Sequence, residues 1–379
     1  MPVLAPVGEE KRTQTGWIDA DDLALPLPTL PADARAPVLE VQVERGLSGW
    51  RRDWLHSLRE YPHRCWEQTL SRALGAALAI AAGVDRSQWP EARQVVDDAL
   101  TVAPMFQDED GGFRYFLTDS GEWSGSASPF LSAYTLRGFE LLEQLGYQPP
   151  LLAAQDLTAA MQKTLRAVRD DPRQHVTDES LEAAAQAAGG LRAPKLLDDG
   201  ALTVLWQHWD RLSWYGRSEL LRGLARKPAF AAQYAAGIER LRAAGSQRGL
   251  RRVIHDPRDF SAGMGSDLRD QCGVVAALFA LDHDPAGAAA RRSLLRGLQD
   301  LYAGGTASLD TQASAQCLIA LHAAASALPA EDQAWTVQAT LGAQQHTLTL
   351  APGQQQAQWQ VSLATGQSAD ALRLHSQIP

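Results

Sequence analysis

The chain changes its hydrophobic period twice, and this change constrains the fold more than any other feature of the sequence. Apolar residues recur at helical spacing almost throughout residues 50–328, as in the stripe of Leu70, Leu74 and Leu78. On either side of this block the period is two, which is the pattern of half-buried strands. The sequence therefore predicts a large helical block that interrupts a small β-domain.

Helix breakers divide the central block into segments of helix length. One helix is expected to begin near Cys65, and another to contain Phe130 to Leu145 and end at Gly146. Later helices are expected at residues 151–168, 195–211, 216–226, 229–243, 267–281, 286–302 and 308–327. Roughly ten to twelve helices joined by short turns indicate helical hairpins stacked on one another.

One strand is expected before the helical block and about four after it. The first contains Leu39, Val41 and Val43. The later strands are centred on Val337 to Leu341, Leu348 to Leu350, Trp359 to Leu363 and Leu372 to Leu374. Because a lone strand is marginal by itself, the first is expected to pair with the later ones. The proline-rich residues 1–37 are predicted to be an extended lead-in rather than a packed element.

Composition and charge exclude some classes of partner. The chain has 379 residues, 45% of them hydrophobic, and a formal net charge of −9. This acidity, with no basic block, argues against nucleic acid or an anionic membrane as the main partner. No apolar stretch approaches bilayer length, and the first residues lack a signal-peptide pattern. The chain is expected to be cytosolic, or else a piece of a longer precursor with an upstream signal.

The three cysteines do not predict a disulfide framework, because their number is small and odd. Cys272 and Cys317 each lie on a separate apolar helical stripe, and both are predicted to be buried, inert thiols. Cys65 differs, because it lies beside polar residues at the expected start of a helix.

Cys65 and Gln68 are the residues whose spacing can carry chemistry. Pro62 suits the approach to a helix, so Cys65 falls near the first turn, with Gln68 three residues later on the same face. A cysteine at a helix amino terminus has a stabilised thiolate. Attack of its sulfur on the Gln68 side-chain carbonyl would release ammonia and leave a thioester.

Such a thioester would react with any amine or hydroxyl that reached it, and it needs an apolar cover against water. Aromatic residues near it in sequence are Tyr61, Trp66, Phe106, Phe113, Tyr115 and Phe116. Taken alone, a capped helix start with an ordinary cysteine and glutamine explains the same short pattern.

A longer motif and several later segments resemble the bacterial alpha-2-macroglobulin family. Tyr61-Pro62 and Cys65-Trp66-Glu67-Gln68-Thr69 resemble the signature Tyr-Pro-x-Gly-Cys-x-Glu-Gln-Thr of alpha-2-macroglobulin and complement thioester proteins. The other matching segments are Asp110 to Phe116, Leu131 to Tyr134, Leu212 to Arg217, Leu268 to Gln271 and Asp310 to Ala313. The resemblance runs in order over residues 38–375.

The resemblance implies a mainly α fold, an α/α toroid of about six helical hairpins inserted into a small antiparallel CUB-like β-domain. The implied domains are a lead-in with the first CUB-like strand at 1–45, the thioester toroid at 46–329 and the remaining CUB-like strands at 330–379. The implied site is a thioester between Cys65 and Gln68, with Glu67 as motif support and neither cofactor nor metal.

The same resemblance implies a single-use covalent protease inhibitor rather than an enzyme. Its implied location is the periplasm. Its implied partners are target endopeptidases and the other macroglobulin domains of a full-length protein.

Two features depart from the family pattern. Arg64 stands where the family has glycine, and glycine permits backbone angles that arginine resists. Arg64 is therefore expected to hinder ring closure or to expose the site to water. Complete family members also carry further macroglobulin domains, a bait region and a terminal domain, so the chain is expected to be a fragment or a truncated product.

Other candidate sites have weaker support. Asp19-Ala20-Asp21-Asp22 matches the acid motif of toroidal terpenoid cyclases, but a solvated acidic turn explains it better. His63 could form a couple with Cys65 for covalent catalysis or be a surface residue. His175 is a candidate counterpart of the histidine that assists acyl transfer in complement relatives.

The cluster of Trp206, Trp209 and Trp214 is expected to pack between helices rather than to bind a ligand. No cysteine or histidine pair has zinc-ligand spacing.

Three functions remain open at this point. The first is the covalent protease trap, and the second is a thioester-inactive scaffold or interaction module of the same family, which Arg64 favours. The third is a terpenoid-cyclase-like enzyme, which rests only on the acid motif. Fold alone does not choose among them.

Overall fold

The computed structural model of the chain describes residues 14, 16, 18, 22–27, 29–30, 34–44, 48–84, 86–117, 126–170, 177–258, 260, 263–303, 310–327, 334–352, 354, 356–363 and 371–377. Contacts divide the chain into two compact units. One combines Met1–Gly49 with Pro329–Pro379, and the other is Trp50–Leu328.

Eight strands and twelve α-helices lie within the described residues. The strands are β1 (Leu23–Leu25), β2 (Val38–Glu44), β3 (Ser246–Arg248), β4 (Arg251–Val253), β5 (Trp335–Leu341), β6 (Gln344–Leu350), β7 (Gln356–Ser362) and β8 (Leu372–Gln377). The helices are α1 (Ser48–Glu60), α2 (Trp66–Ala81), α3 (Ala92–Val102), α4 (Pro129–Gln144), α5 (Leu151–Asp170), α6 (Asp178–Gly190), α7 (Asp199–Gln207), α8 (Trp214–Ala225), α9 (Ala231–Arg242), α10 (Asp267–Leu281), α11 (Ala288–Ala303) and α12 (Thr311–Ala327).

The first unit is built from antiparallel strands that come from both ends of the chain. One sheet has the order β1-β8-β5-β6, and β2 pairs with β7. In the second pair Val41 lies opposite Trp359, and Val43 lies opposite Ala357. The alternating apolar residues of these strands form one core, with Val41, Val43, Val337, Ala339, Leu341, Leu348, Leu350, Val361, Leu372 and Leu374 buried. The predicted pairing of residues 39–43 with the later strands is confirmed.

The lead-in prediction is wrong at residues 23–25. These residues form β1, which pairs with β8 through Leu23 opposite Leu374. The prolines around this three-residue strand conceal it, because proline is tolerated beside an edge strand but reads as a breaker.

In the helical unit, every second helix belongs to an inner set. The helices α2, α4, α6, α8, α10 and α12 each pack against the next, and α12 packs against α2, so their contacts form a closed cycle. The helices α3, α5, α7, α9 and α11 pack on the outside of this set. The burial of the side chains agrees with this division into inner and outer helices. The inner helix α6 has ten buried residues among 13, whereas the outer helix α5 has five among 20.

Small residues allow the inner helices to approach closely. A Cβ atom added at Gly273 in α10 would lie 2.6 Å from the Tyr215 ring of α8, a distance that real contacts do not reach. The predicted core residues of the helical block are confirmed as buried; they are Leu70, Leu74, Leu142, Leu278, Phe279, Leu298, Cys272 and Cys317.

The single helix expected at residues 195–211 is wrong in extent. Short 3₁₀ turns at Pro194–Leu196 and Trp209–Arg211 flank α7, which covers only Asp199–Gln207. The Asp198 side chain caps α7 by accepting a hydrogen bond from the Ala201 N–H, so the helix begins after this residue.

Cys272 and Cys317 are buried, but the prediction that they are free thiols is wrong. Their sulfurs form a disulfide that joins α10 to α12, with the two Cα atoms 4.8 Å apart. Periodicity showed that each cysteine faces the core. It could not show that the two helices, 45 residues apart in sequence at this point, lie side by side.

None of the described helices is both long and apolar enough to cross a membrane.

Candidate functional site

Cys65 occupies the N-cap position of α2, with an extended backbone (φ −68°, ψ 170°). Its sulfur accepts from the backbone N–H of Gln68 in a capping box. In return, the Gln68 Oε1 accepts from the Cys65 backbone N–H at 2.9 Å. The structure therefore brings together the two side chains that the sequence spacing singled out.

This arrangement places a donor where charge would develop during acyl transfer. Attack of the Cys65 sulfur on the Gln68 side-chain carbon would put negative charge on Oε1. The Cys65 N–H already donates to that oxygen, and a fixed donor of this kind stabilises an oxyanion. A hydrogen bond also joins the Tyr61 hydroxyl to the Gln68 side chain, and burial raises the pKa of Tyr61.

The expectation of a stabilised thiolate is wrong. Cys65 is only 8% exposed, and burial raises the pKa of its thiol, with backbone N–H groups of the first helical turn opposing this effect. Loss of hydration therefore outweighs the helix terminus in setting the direction of the pKa shift of this thiol.

Glu67 lies between these two residues and points into the helical unit. Its Oε1 accepts a hydrogen bond from Ser71 Oγ at 2.7 Å. Both carboxyl oxygens lie within hydrogen-bond distance of Thr311 Oγ1, at 2.9 and 2.8 Å. The Ser71 hydroxyl is also 2.7 Å from the Tyr134 hydroxyl. Burial raises the pKa of Glu67, and the two hydroxyl donors oppose that shift. Glu67 thus ties the first turn of α2 to α12 and, through Ser71, to α4.

Trp66 anchors the start of α2 in an aromatic cluster. Its ring stacks on Phe113 with centroids 5.2 Å apart and packs against Phe106 at 5.3 Å and Phe139 at 6.5 Å. Its indole N–H donates to Thr135 Oγ1 at 2.8 Å. The cluster is an apolar support beneath the Cys65 turn.

The loop after α3 runs beside this cluster. The Trp66 backbone N–H donates to the Tyr115 carbonyl at 2.9 Å, and Tyr115 is half-buried. Of the aromatics expected to cover the site, Phe106 and Phe113 are buried, whereas Phe116 is 62% exposed.

The backbone angles bear on the expectation that Arg64 strains the turn. In the described residues, the non-glycine positions with positive φ are Ala36 and Met264. The Arg64 backbone therefore does not occupy the region that demands glycine, and its side chain is exposed.

The other candidate residues are exposed or lie outside the described part. His63 is exposed, and its ring packs edge-on against Tyr61 at 5.7 Å. His175, and Asp19 and Asp21 of the acid motif, lie outside the described residues. Asp22 is exposed and pairs with His375. Within the described ranges, no cluster of three or more His, Cys, Asp or Glu side chains could hold a metal ion.

The tryptophan cluster packs with two arginines. Trp206 and Trp209 have ring centroids 5.2 Å apart. The Arg217 guanidinium lies 4.2 Å from the centroid of Trp214, and that of Arg240 lies 5.2 Å from the centroid of Trp206. Both are cation–π contacts; the Arg240 contact joins α9 to α7, whereas the Arg217 contact lies within α8.

The spacing of residues in the sequence did not indicate that Thr311 contacts the site. It lies 244 residues from Glu67, and only the resemblance of Asp310 to Ala313 to a family segment pointed to its surroundings.

The comparisons with known proteins point to the alpha-2-macroglobulins. No family model matches the chain. An alpha-2-macroglobulin of Thermotoga maritima is 28% identical over 95 residues, which are 25% of this chain and 6% of that protein.

Solved structures of bacterial alpha-2-macroglobulins share the fold over most of the chain. Salmonella alpha-2-macroglobulin reacted with methylamine superposes with a TM-score of 0.61 and 21% identity, over 94% of this chain and 23% of that one. Native Escherichia coli alpha-2-macroglobulin, from domain MG7 to the C-terminus, gives a TM-score of 0.62 and 19% identity, over 94% of this chain and 56% of that one. The same E. coli protein activated by porcine elastase gives a TM-score of 0.54 and 20% identity, over 94% of this chain and 32% of that one.

The chain is thus similar in fold to the bacterial alpha-2-macroglobulins over most of its length, and similar in sequence to one of them over 95 residues. It spans less than two thirds of the length of each of these relatives.

Proposed function

We propose that this chain is the thioester-bearing part of an alpha-2-macroglobulin-like protease inhibitor, with the thioester between Cys65 and Gln68 and with Glu67 as its support. The observation that carries the proposal is the reciprocal capping box, in which the Gln68 carboxamide is held on the Cys65 N–H at 2.9 Å. An ordinary capping box stabilises a helix start. Here its two side chains are also a nucleophile and an acyl group.

The proposed chemistry has two steps. In the first, the Cys65 sulfur attacks the Gln68 side-chain carbon, the Cys65 N–H stabilises the oxyanion, and the thiol proton leaves with the amide nitrogen as ammonia. In the second, a lysine amine of a protease attacks the same carbon. An amide bond forms, the carbon–sulfur bond breaks, and the amine proton passes to the released Cys65 thiolate. Each molecule reacts once, so the protein is an inhibitor and not an enzyme.

The raised pKa of the Cys65 thiol supports a thioester that persists until it reacts once, rather than a thiol that takes part in repeated turnover. A thiol of high pKa is a poor leaving group, which slows the loss of the thioester. The buried aromatic cluster around Trp66 limits the approach of water to the Cys65 turn from the interior of the helical unit.

The closed cycle of contacts among α2, α4, α6, α8, α10 and α12 supports the α/α toroid of about six hairpins. We propose the domains as a lead-in with a first CUB-like strand at 1–45, the toroid at 46–329 and the remaining CUB-like strands at 330–379. The pairing of β2 with β7, which come before and after the helical unit in the sequence, supports this insertion.

Target endopeptidases and further macroglobulin domains are the proposed partners. In support, the related E. coli structures are of alpha-2-macroglobulin activated by elastase and by trypsin. We propose a periplasmic location. The Cys272–Cys317 disulfide supports it, because disulfides persist in oxidising compartments and are rare in the cytosol.

The test is aminolysis of the native protein with methylamine, the reagent with which the related Salmonella protein was reacted. Methylamine is expected to release one thiol, at Cys65, and to become attached at position 68. Cys65→Ala is the matched control and should show neither change. Native protein that takes up no methylamine, and whose Cys65 is alkylated to the same extent before and after treatment, would instead support the thioester-inactive scaffold.

A further inference from the structure

Among the described hydrogen bonds, the last inner helix reaches the thioester motif through Thr311. Thr311, at the start of α12, is 4% exposed. Its hydroxyl lies 2.9 and 2.8 Å from the two oxygens of Glu67. It contacts neither Cys65 nor Gln68 among the described hydrogen bonds, so any effect on them passes through Glu67.

The polar contacts that hold this end of α12 on α10 are long. Ser266 Oγ and Asp310 Oδ2 are 3.5 Å apart, as are Arg269 Nη1 and Gln312 Oε1. In the described part of the chain, the buried Arg269 Nε and Nη2 atoms and the Gln312 Nε2 atom have no hydrogen-bond partner. Hydrogen bonds weaken at such distances, so these two contacts add little to the apolar packing of α12 on α10.

The disulfide adds a covalent link to the packing of α12 on α10. Cys317 lies six residues after Thr311, about 9 Å along the helix axis, and is bonded to Cys272 of α10. Both cysteines are fully buried. A covalent bond at this point fixes the position of α12 along α10, and with it the position of Thr311 above Glu67.

We infer that Thr311 is a positioning residue of the thioester site, and that the Cys272–Cys317 disulfide holds it in place. The inference rests on the proposed thioester function. Thr311 fixes the Glu67 carboxyl, which keeps the first turn of α2 closed so that Cys65 and Gln68 stay in their capping box. Forming the disulfide removes two protons and two electrons from two thiols, and the electrons pass to the disulfide of a thiol oxidoreductase, which becomes a dithiol. A Cys65 sulfur bound in a thioester cannot enter that exchange.

Two readouts test the inference, and one of them does not require a thioester. The first is the fraction of freshly purified protein that has lost one ammonia, measured by intact mass. The second is the rate at which iodoacetamide alkylates Cys65 in a Gln68→Glu background, where no thioester can form and the side-chain oxygen that faces the Cys65 N–H is retained. The disulfide itself is mapped by peptide mass without reduction.

Thr311→Val keeps the shape of the side chain and removes the hydroxyl. It is expected to lower the thioester fraction and to raise the alkylation rate about tenfold or more, because hydrogen bonds to a carboxylate are lost. Thr311→Ser restores a hydroxyl and is expected to restore both values. The Cys272→Ala/Cys317→Ala double variant is expected to change both readouts in the same direction as Thr311→Val.

Leu202→Ala in α7 is the control that separates a general loss of stability from an effect on the site. Leu202 is buried, and α7 packs on α5, α6 and α8. This control should weaken the fold without changing Cys65 alkylation. Wild-type values in both readouts for Thr311→Val and for the double cysteine variant would overturn the inference. Wild-type protein without any ammonia loss would count against the proposed thioester, whereas the alkylation rates would still decide the role of Thr311 and the disulfide.

Discussion

Trp66 is expected to be the side chain on which the stability of the Cys65 turn depends most. It is fully buried, and burial of a tryptophan removes about 150–250 Å² from water. At about 25 cal/mol per Å² this corresponds to roughly 4–6 kcal/mol as an upper bound. Observed tryptophan-to-alanine changes in cores cost about 3–5 kcal/mol, which is the loss expected in the free energy of unfolding for Trp66→Ala.

Trp66→Phe separates the packing of the ring from its hydrogen bond. The Thr135 hydroxyl would lose the indole donor but would still donate to the Leu131 carbonyl at 2.7 Å. The expected cost is therefore smaller, about 1–2 kcal/mol.

The assay for both variants is guanidinium denaturation followed by far-ultraviolet circular dichroism, which does not depend on the tryptophan signal. Trp206→Ala is the matched control, because that ring is only half-buried, and it should cost less than Trp66→Ala. A Trp66→Ala protein that unfolds at the wild-type denaturant concentration would refute the view that this cluster supports the turn.

Three further predictions concern the core, the turn and the pH dependence. Leu278→Ala, at a fully buried position of α10, should cost about 2–5 kcal/mol in chemical denaturation, and an unmeasurable cost would mean that its stripe is not core. Arg64→Gly should leave the thioester fraction unchanged in intact mass, because the Arg64 backbone does not have the positive φ that requires glycine; a clear rise would restore the view that arginine strains the turn. Burial raises the pKa of Asp270 to about 7, above the value of about 3.9 for an unfolded aspartate. Between those values the native state holds a proton that the unfolded state has lost, so this group makes the protein less stable as the pH rises. Asp270→Asn should flatten the change in denaturation midpoint over that range, and an unchanged slope would contradict the assignment.

The sequence predicted the elements that have one buried face and one exposed face. The strands β2 and β5–β8 alternate apolar and polar residues, and α5 shows a stripe of buried apolar residues at Leu157, Met161, Leu165 and Val168. By contrast, α6 was not predicted as a separate helix. Ten of its 13 residues are buried and most are alanine or glycine, so it has no polar face to reveal the helical period.

The contacts that complete the site join segments distant in sequence. Spacing alone placed Cys65 and Gln68 on one turn, because both belong to the same helix start. It could not place Thr311 against Glu67, nor Cys272 against Cys317, since those contacts depend on which helices become neighbours. The error about the Cys65 thiolate has the same origin, because the sequence shows the helix terminus but not the burial that outweighs it.

A bond between Cys65 and Gln68 is detected by peptide mass at position 68 in freshly expressed protein. We expect a peptide that has lost one ammonia, or glutamic acid at position 68 where a formed thioester has since been hydrolysed, together with unmodified glutamine in the Cys65→Ala variant. Unmodified glutamine at position 68 in both proteins, with Cys65 freely alkylated from the start, would show that the bond does not form.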